Sequence, residues 1–186
     1  MSNAVLKQNW SESVTTGRKA IAAVKELLGT LKTSSLWFKT IHVHDIQDDP
    51  RYQPIGIDLL WLVEAARSSC AITVEVKGDT NDHTGNFFIE TVSDVERNTP
   101  GAFIACKAEW YFYYFINTKT LYCIPMMVAK PWFEKNKATF KERFSNSTRA
   151  GRTWKTKGCL VPKYVIENEI EDLRIFQKTE DRWIKR

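Results

Sequence analysis

Two apolar runs that read as β-strands lie close together in this chain, the second with a strand's alternation, and they constrain its fold more than any other feature. The first covers residues 57–63 and opens as Gly56-Ile57-Asp58-Leu59-Leu60-Trp61. The second covers residues 71–78 and reads Ala71-Ile72-Thr73-Val74-Glu75-Val76-Lys77-Gly78. Side chains two apart on a strand share a face, so Glu75 and Lys77 leave the second strand together. Residues 64–70 are few enough for a hairpin connection. An antiparallel hairpin sets the start of one strand beside the end of the next, so Asp58 is expected close to Glu75 and Lys77. Two carboxylates and one ammonium at a hairpin end suit a divalent metal and an oriented water. The plainer alternative is an edge strand whose Glu and Lys only ladder with their neighbours.

The rest of the chain reads as a mixed α+β pattern. Residues 11–29 form an expected helix with Ser11 or Ser13 as cap and an apolar stripe of Val14, Ile21, Val24, Leu27 and Leu28. Residues 36–43 read as a strand, 45–54 as an acidic loop, and 87–92 as a further strand. Residues 104–115 are expected to be a helix, although their aromatic run also suits a strand. Residues 120–125 read as a strand, and 128–144 as a basic amphipathic helix with Pro131 in its first turn. Residues 146–158 read as a flexible basic loop, 160–166 as a strand and 168–185 as a terminal helix. The whole is expected to be one domain over 1–186, with a core at about 11–126 and an extension at about 128–186.

The net charge is +5, and its placement matters more than its size. Ten basic residues between Lys130 and Lys163 face only Glu134 and Glu142, a local charge of +8 that leaves −3 for the rest. A basic segment on a mildly acidic body suggests a polyanionic partner, with a solvated lysine-rich helix as the plain alternative. Within it, Arg149, Arg152, Trp154, Lys155 and Lys157 interleave cations with an aromatic, a pattern that grips phosphates and stacks on a base. No run has the length of a membrane span, and the N-terminal stretch lacks a signal-like apolar region, so a cytoplasmic location is expected. The four cysteines, Cys70, Cys106, Cys123 and Cys159, show no Cys-x-x-Cys spacing and read as buried thiols. His42 and His44 share a strand face without an evident third ligand, which favours a structural pair over a zinc site.

An Asp followed by Glu-x-Lys on consecutive strands resembles the PD-(D/E)XK nuclease superfamily. The resemblance runs from about residue 37 to about residue 126, with Ile57 where the family usually has Pro. It implies a restriction-endonuclease-like fold, a central mixed sheet flanked by helices in the order αβββαβ. It also implies a magnesium-dependent nuclease, with manganese as substitute, that hydrolyses phosphodiester bonds of DNA. Asp58 and Glu75 would be metal ligands, with the Val76 carbonyl between Glu and Lys as a further ligand. Lys77 would orient the water or stabilise transition-state charge, and its two carboxylate neighbours favour an electrostatic role over a free-base role. Some members use a helix glutamate, for which Glu12 or Glu26 is a candidate. Glu90 and, less so, Asp79 are further candidates. One exonuclease branch carries Gln-x-x-x-Tyr on a helix, where this chain has Lys107 and Tyr111. Some members hold an iron–sulfur cluster, but the clustered C-terminal cysteine spacing is absent here. Many nucleases of this kind form homodimers to cut both strands, and no dimer seam is legible. The competing readings are a non-catalytic nucleic-acid-binding protein with the same fold, and a structural protein with a chance motif.

Overall fold

The computed structural model describes residues 7–31, 39–65, 68–149 and 152–186. Helix α1 (Trp10–Thr30) forms where its apolar residues recur at helical spacing. Ile21, Val24, Leu27, Leu28 and Leu31 are buried along one stripe. Burying five such side chains yields on the order of 7–15 kcal/mol before chain entropy is counted. The stripe rests on a seven-stranded sheet that begins with a meander of β2 (Lys39–Asp45), β3 (Leu59–Ala65) and β4 (Ser68–Asp79). The β3–β4 hairpin pairs Leu59 with Val74 and Ala65 with Ser68, so its connection is tighter than the sequence suggested. Part of the strand expected at 36–43 lies outside the described residues. The remainder is β2, which bulges between Thr40 and His42.

After β4 the chain leaves this sheet for β5 (Asn86–Asp94), the two-residue β6 (Thr99–Pro100) and the single-turn α2 (Ala102–Ala105). It returns as β7 (Trp110–Phe115), parallel to β4, and turns back as β8 (Thr120–Pro125). The expected helix over 104–115 is therefore wrong for most of its length. Trp110-Tyr111-Phe112-Tyr113-Tyr114-Phe115 lies between β4 and β8, and five of the six side chains are buried. A strand buried on both faces shows an unbroken apolar run in place of alternation, and aromatic residues favour the pleated surface.

The C-terminal third departs furthest from expectation. Helix α3 (Met126–Asn136) ends early, with Pro131 in its middle and not in its first turn. Residues expected to be helix end and loop form a hairpin of β9 (Lys141–Arg149) and β10 (Arg152–Pro162). After the short α4 (Lys163–Glu169), Asp172 adopts a positive φ of 59° that stops any helix. The expected terminal helix is replaced by β11 (Arg174–Lys178) and β12 (Trp183–Lys185), which extend the central sheet beyond β8. A second sheet has the order β1 (Lys7–Asn9), β9, β10, β5, β6.

The result is a mixed α+β fold around a central mixed sheet. One face of that sheet packs on α1. The other buries Tyr111, Tyr113 and Phe115 against Phe87 and Ile89 of β5, Val161 of β10 and Phe133 of α3. The sheet was expected to be flanked by helices; on this face much of the cover is the second sheet. Among the described residues no helix is long and apolar enough to cross a membrane.

Candidate functional site

The site is built where β3 begins and β4 nears its end. Asp58 precedes β3 by one residue and continues its pairing: its backbone N–H donates to the Val74 carbonyl at 2.9 Å. Leu59 and Val74 face α1, so their neighbours Asp58 and Glu75 turn to the opposite face. The chain reaches this point through Gly56, whose φ is 61° and where a Cβ would lie 3.0 Å from the Cys106 backbone. A side chain there is excluded both by conformation and by space.

One carboxylate oxygen of Asp58 accepts the Val76 N–H at 2.8 Å. The carboxyl groups of Asp58 and Glu75 are near enough to act on each other directly. Two carboxylates brought together in this way favour sharing a proton. Burial first, and then the Asp58 charge, push Glu75 well above the usual carboxylate range, while Lys77 pulls it down and Glu90 adds to the rise. Burial also raises Asp58, against the hydrogen bonds from Val76 and Glu75. The pair therefore takes up a proton more readily than free carboxylates do. Lys77 lies two residues along the same face, in register with Tyr113 of β7. The N–H and C=O of one strand residue point the same way, so the Val76 carbonyl is directed to the side on which its N–H meets Asp58.

The surroundings are held firmly. Lys130 donates to the carbonyls of Ile104, at 3.0 Å, and of Cys106. The Cys106 thiol donates to the Gly56 carbonyl at 3.5 Å, and burial and the nearby Glu75 push it up to about 12. Cys106 is thus an inert buried thiol, as are Cys123 and Cys159 by position, whereas Cys70 is exposed against expectation because it lies in an outer stretch of β4.

The other candidate residues separate clearly. Glu90 of β5 acts on Glu75 electrostatically, but one of its oxygens accepts the Ala102 N–H at 3.2 Å at the start of α2. The Glu12 side chain lies outside the described residues. Glu26 is on α1 and pairs with Lys178 at 2.5 Å, away from the site. Asp79 accepts the Tyr113 hydroxyl and the Asn81 N–H, the latter at 2.7 Å, and serves the turn. Lys107 and Tyr111 do not share a helix. Lys107 is exposed in a loop, and Tyr111 is 1% exposed on β7, packed edge-on against Phe103 and paired with Glu75. A side chain so enclosed cannot support a nucleic acid directly.

The basic loop is also corrected to a paired hairpin, and several of its cations are engaged. Arg152 pairs with Asp94 at 2.6 Å and lies over the Trp154 ring. Lys157 pairs with Glu142 at 2.5 Å. Lys155 is exposed, and the Arg149 side chain lies outside the described residues. His42 and His44 have ring centroids 6.2 Å apart on an exposed strand. Among the described residues no three His, Cys, Asp or Glu side chains converge as a metal cluster.

A cleft of about 820 Å³ opens beside Lys77. Its lining includes Lys19 of α1, Phe88 of β5, and Arg143 and Phe144 of β9, but neither Asp58 nor Glu75. Glu75 lies two residues from Lys77 and Glu90 two from Phe88, each on the same face of its strand, so the carboxylates adjoin one end of the cleft. Lys19, Phe88 and Phe144 were not singled out from the sequence, and Arg143 counted only as bulk charge. Thr15, Thr16 and Lys19 lie among other polar residues of α1, so nothing local in the sequence set them apart.

No family model matches the chain, and no curated protein matches it. A solved structure of a nuclease from a fusselovirus is similar at a TM-score of 0.42 and 13% identity, covering 82% of this chain and 83% of that one. The reading of the site rests on its own geometry.

Proposed function

We propose that the protein is a metal-dependent nuclease that hydrolyses phosphodiester bonds of DNA by PD-(D/E)XK chemistry. The observation that carries this reading is the meeting of the Asp58 and Glu75 carboxyls on one sheet face, with Lys77 on the next same-face position. Two half-buried carboxyls that repel each other fit a hard divalent cation, which relieves the repulsion that a shared proton relieves without it. Magnesium or manganese suits an all-oxygen set of few protein donors: Asp58, Glu75 and the Val76 carbonyl. Such an ion supplies Lewis-acid charge at phosphate and a more acidic bound water. Asp58 and Glu75 hold the donor geometry, and the Val76 N–H fixes the Asp58 carboxylate. Lys77 places a positive charge beside the position where negative charge grows on the phosphate. Glu90 stays outside this set because it serves the start of α2.

Plasmid and single-stranded DNA incubated with magnesium or manganese, then with EDTA, test the reading. Cutting is expected with either metal, stopped by EDTA and absent from Lys77→Ala. Salt-sensitive binding without cutting would instead make this a non-catalytic nucleic-acid-binding protein. Neither binding nor cutting would leave only a structural role.

A further inference from the structure

Tyr111 and Tyr113 stand two residues apart on β7 and leave the same face of the central sheet. Both are buried, at 1% and 0% exposure, yet their hydroxyls have opposite surroundings. The Tyr113 hydroxyl donates to Asp79 and accepts the Phe88 N–H at 3.2 Å. The Tyr111 ring packs against Phe103 and Tyr113, with centroids 5.4 Å and 6.3 Å away. Among the described residues its hydroxyl has no hydrogen-bond partner. A buried phenol normally has one. Nor is the oxygen sealed: it is not among the enclosed polar atoms that lack a partner, so the small exposed part of Tyr111 includes it.

The neighbourhood of that oxygen is acidic. Tyr111 is the register partner of Glu75 on the parallel strand β4, and adjacent strands lie about 4.8 Å apart. Both side chains leave the face that carries Asp58 and Lys77. Burial first, then the charges of Glu75 and Glu90, hold the phenol well above its ordinary range, so it stays a donor. Asp58 has a donor of its own in the Val76 N–H. Glu75 has no N–H donor among the described residues. Carboxylates that ligate a metal are themselves held by hydrogen bonds from outside the ligand set.

We propose that Tyr111 is a positioning residue of the candidate metal site, its hydroxyl donating to the Glu75 carboxylate when that carboxylate holds a divalent cation. This rests on the metal-dependent nuclease reading and adds to it the group that orients the second acid. Tyr113, spent on Asp79, has no such part.

The test is calorimetric titration of manganese into the metal-free protein without DNA, for wild type, Tyr111→Phe and Tyr113→Phe. Tyr111→Phe removes a single oxygen. It is expected to bind manganese at least about 10-fold more weakly. Its Tm in EDTA is expected to equal or exceed that of wild type, because the hydroxyl lost had no protein partner. Tyr113→Phe is expected to do the reverse, melting lower and binding manganese as wild type does. On plasmid, kcat of Tyr111→Phe should fall with KM for DNA unchanged, a split that a loosened sheet does not produce. Wild-type manganese affinity in Tyr111→Phe, equal weakening in both variants, or loss of cooperative melting in Tyr111→Phe overturns the proposal. Equal manganese binding by wild type and Tyr111→Phe leaves the nuclease reading standing, whereas no binding by wild type removes both.

Discussion

Two acidic centres lie on either side of Lys77, and they are built on opposite principles. Beyond it, Asp82 is buried, and burial alone would raise its pKa. The Thr118 N–H at 2.6 Å, Asn117, the Thr118 hydroxyl and the charge of Lys163 outweigh burial and hold it below the usual range. Asp79 beside it is matched to Tyr113 and Asn81. Before Lys77, Asp58 and Glu75 receive one backbone N–H and otherwise face each other. Donors convert the first pair of acids into structure. The second pair retains an unfavourable charge that a proton or a cation can relieve, which is how functional acids differ from structural ones.

The comparison breaks most visibly in activity. Asp58→Asn or Glu75→Ala is expected to lower metal-dependent cutting by at least about 10²-fold while the protein still melts cooperatively. Wild-type rates in either variant, measured on plasmid with manganese, would show that the two acidic centres do not differ in role.

Stability should respond in the opposite order. Asp82→Ala strands the Thr118 N–H, leaves the Asn117 amide with only the Thr80 carbonyl, and is expected to cost about 2–3 kcal/mol, a fall in Tm of roughly 4–12 °C. Because the folded pKa of Asp82 is depressed, its contribution is present above the ordinary carboxylate range and fades as pH falls through the folded value. The Tm gap between wild type and Asp82→Asn should therefore narrow in acid, and a gap independent of pH would remove the charge from the explanation.

Tyr113→Phe leaves Asp79 without its hydroxyl donor and frees the Phe88 N–H, which now donates to that oxygen at 3.2 Å. A loss of about 1–2 kcal/mol is expected by denaturant unfolding.

Glu75→Gln should act with the other sign. A raised folded pKa means full stability below the ordinary carboxylate range and progressive loss as pH rises through the folded value. In EDTA the variant should be more stable than wild type by about 1 kcal/mol at pH ~8 and equal to it at pH ~3. Manganese should then raise the Tm of wild type and not that of the variant. A variant less stable than wild type at every pH would show that Glu75 is a structural acid like Asp82.

The smallest effect concerns the hairpin of β9 and β10. Arg152 and Asp94 form a partly exposed pair, so Arg152→Ala is expected to change stability by less than about 1 kcal/mol. If Lys155→Glu leaves the salt slope of DNA binding unchanged, this hairpin is not part of the binding surface.

The candidate site was legible because it depends on short-range facts. Asp58 and Glu75 are brought together by one hairpin, and Glu75 and Lys77 share a face by strand periodicity alone. Helix α1 was legible for the same kind of reason. Tyr111 and the run around it were misread as helix because burial on both faces erases the period that separates strand from helix. Arg143 and Lys157 were placed in a helix and a loop because their pairing partners give no local signal. Gly158 pairs with Glu90 across the second sheet, many residues earlier.

Local order in the chain determined the β3–β4 hairpin, its acidic end and the helix that covers one face, since each needs only neighbours within reach of a single turn. The tertiary structure alone decided the rest. Joining β10 to β5 made the C-terminal third a sheet, gave the carboxylates their buried wall and formed the cleft between α1 and β9. Contacts between residues distant in sequence, which carry no periodic trace, produced that outcome.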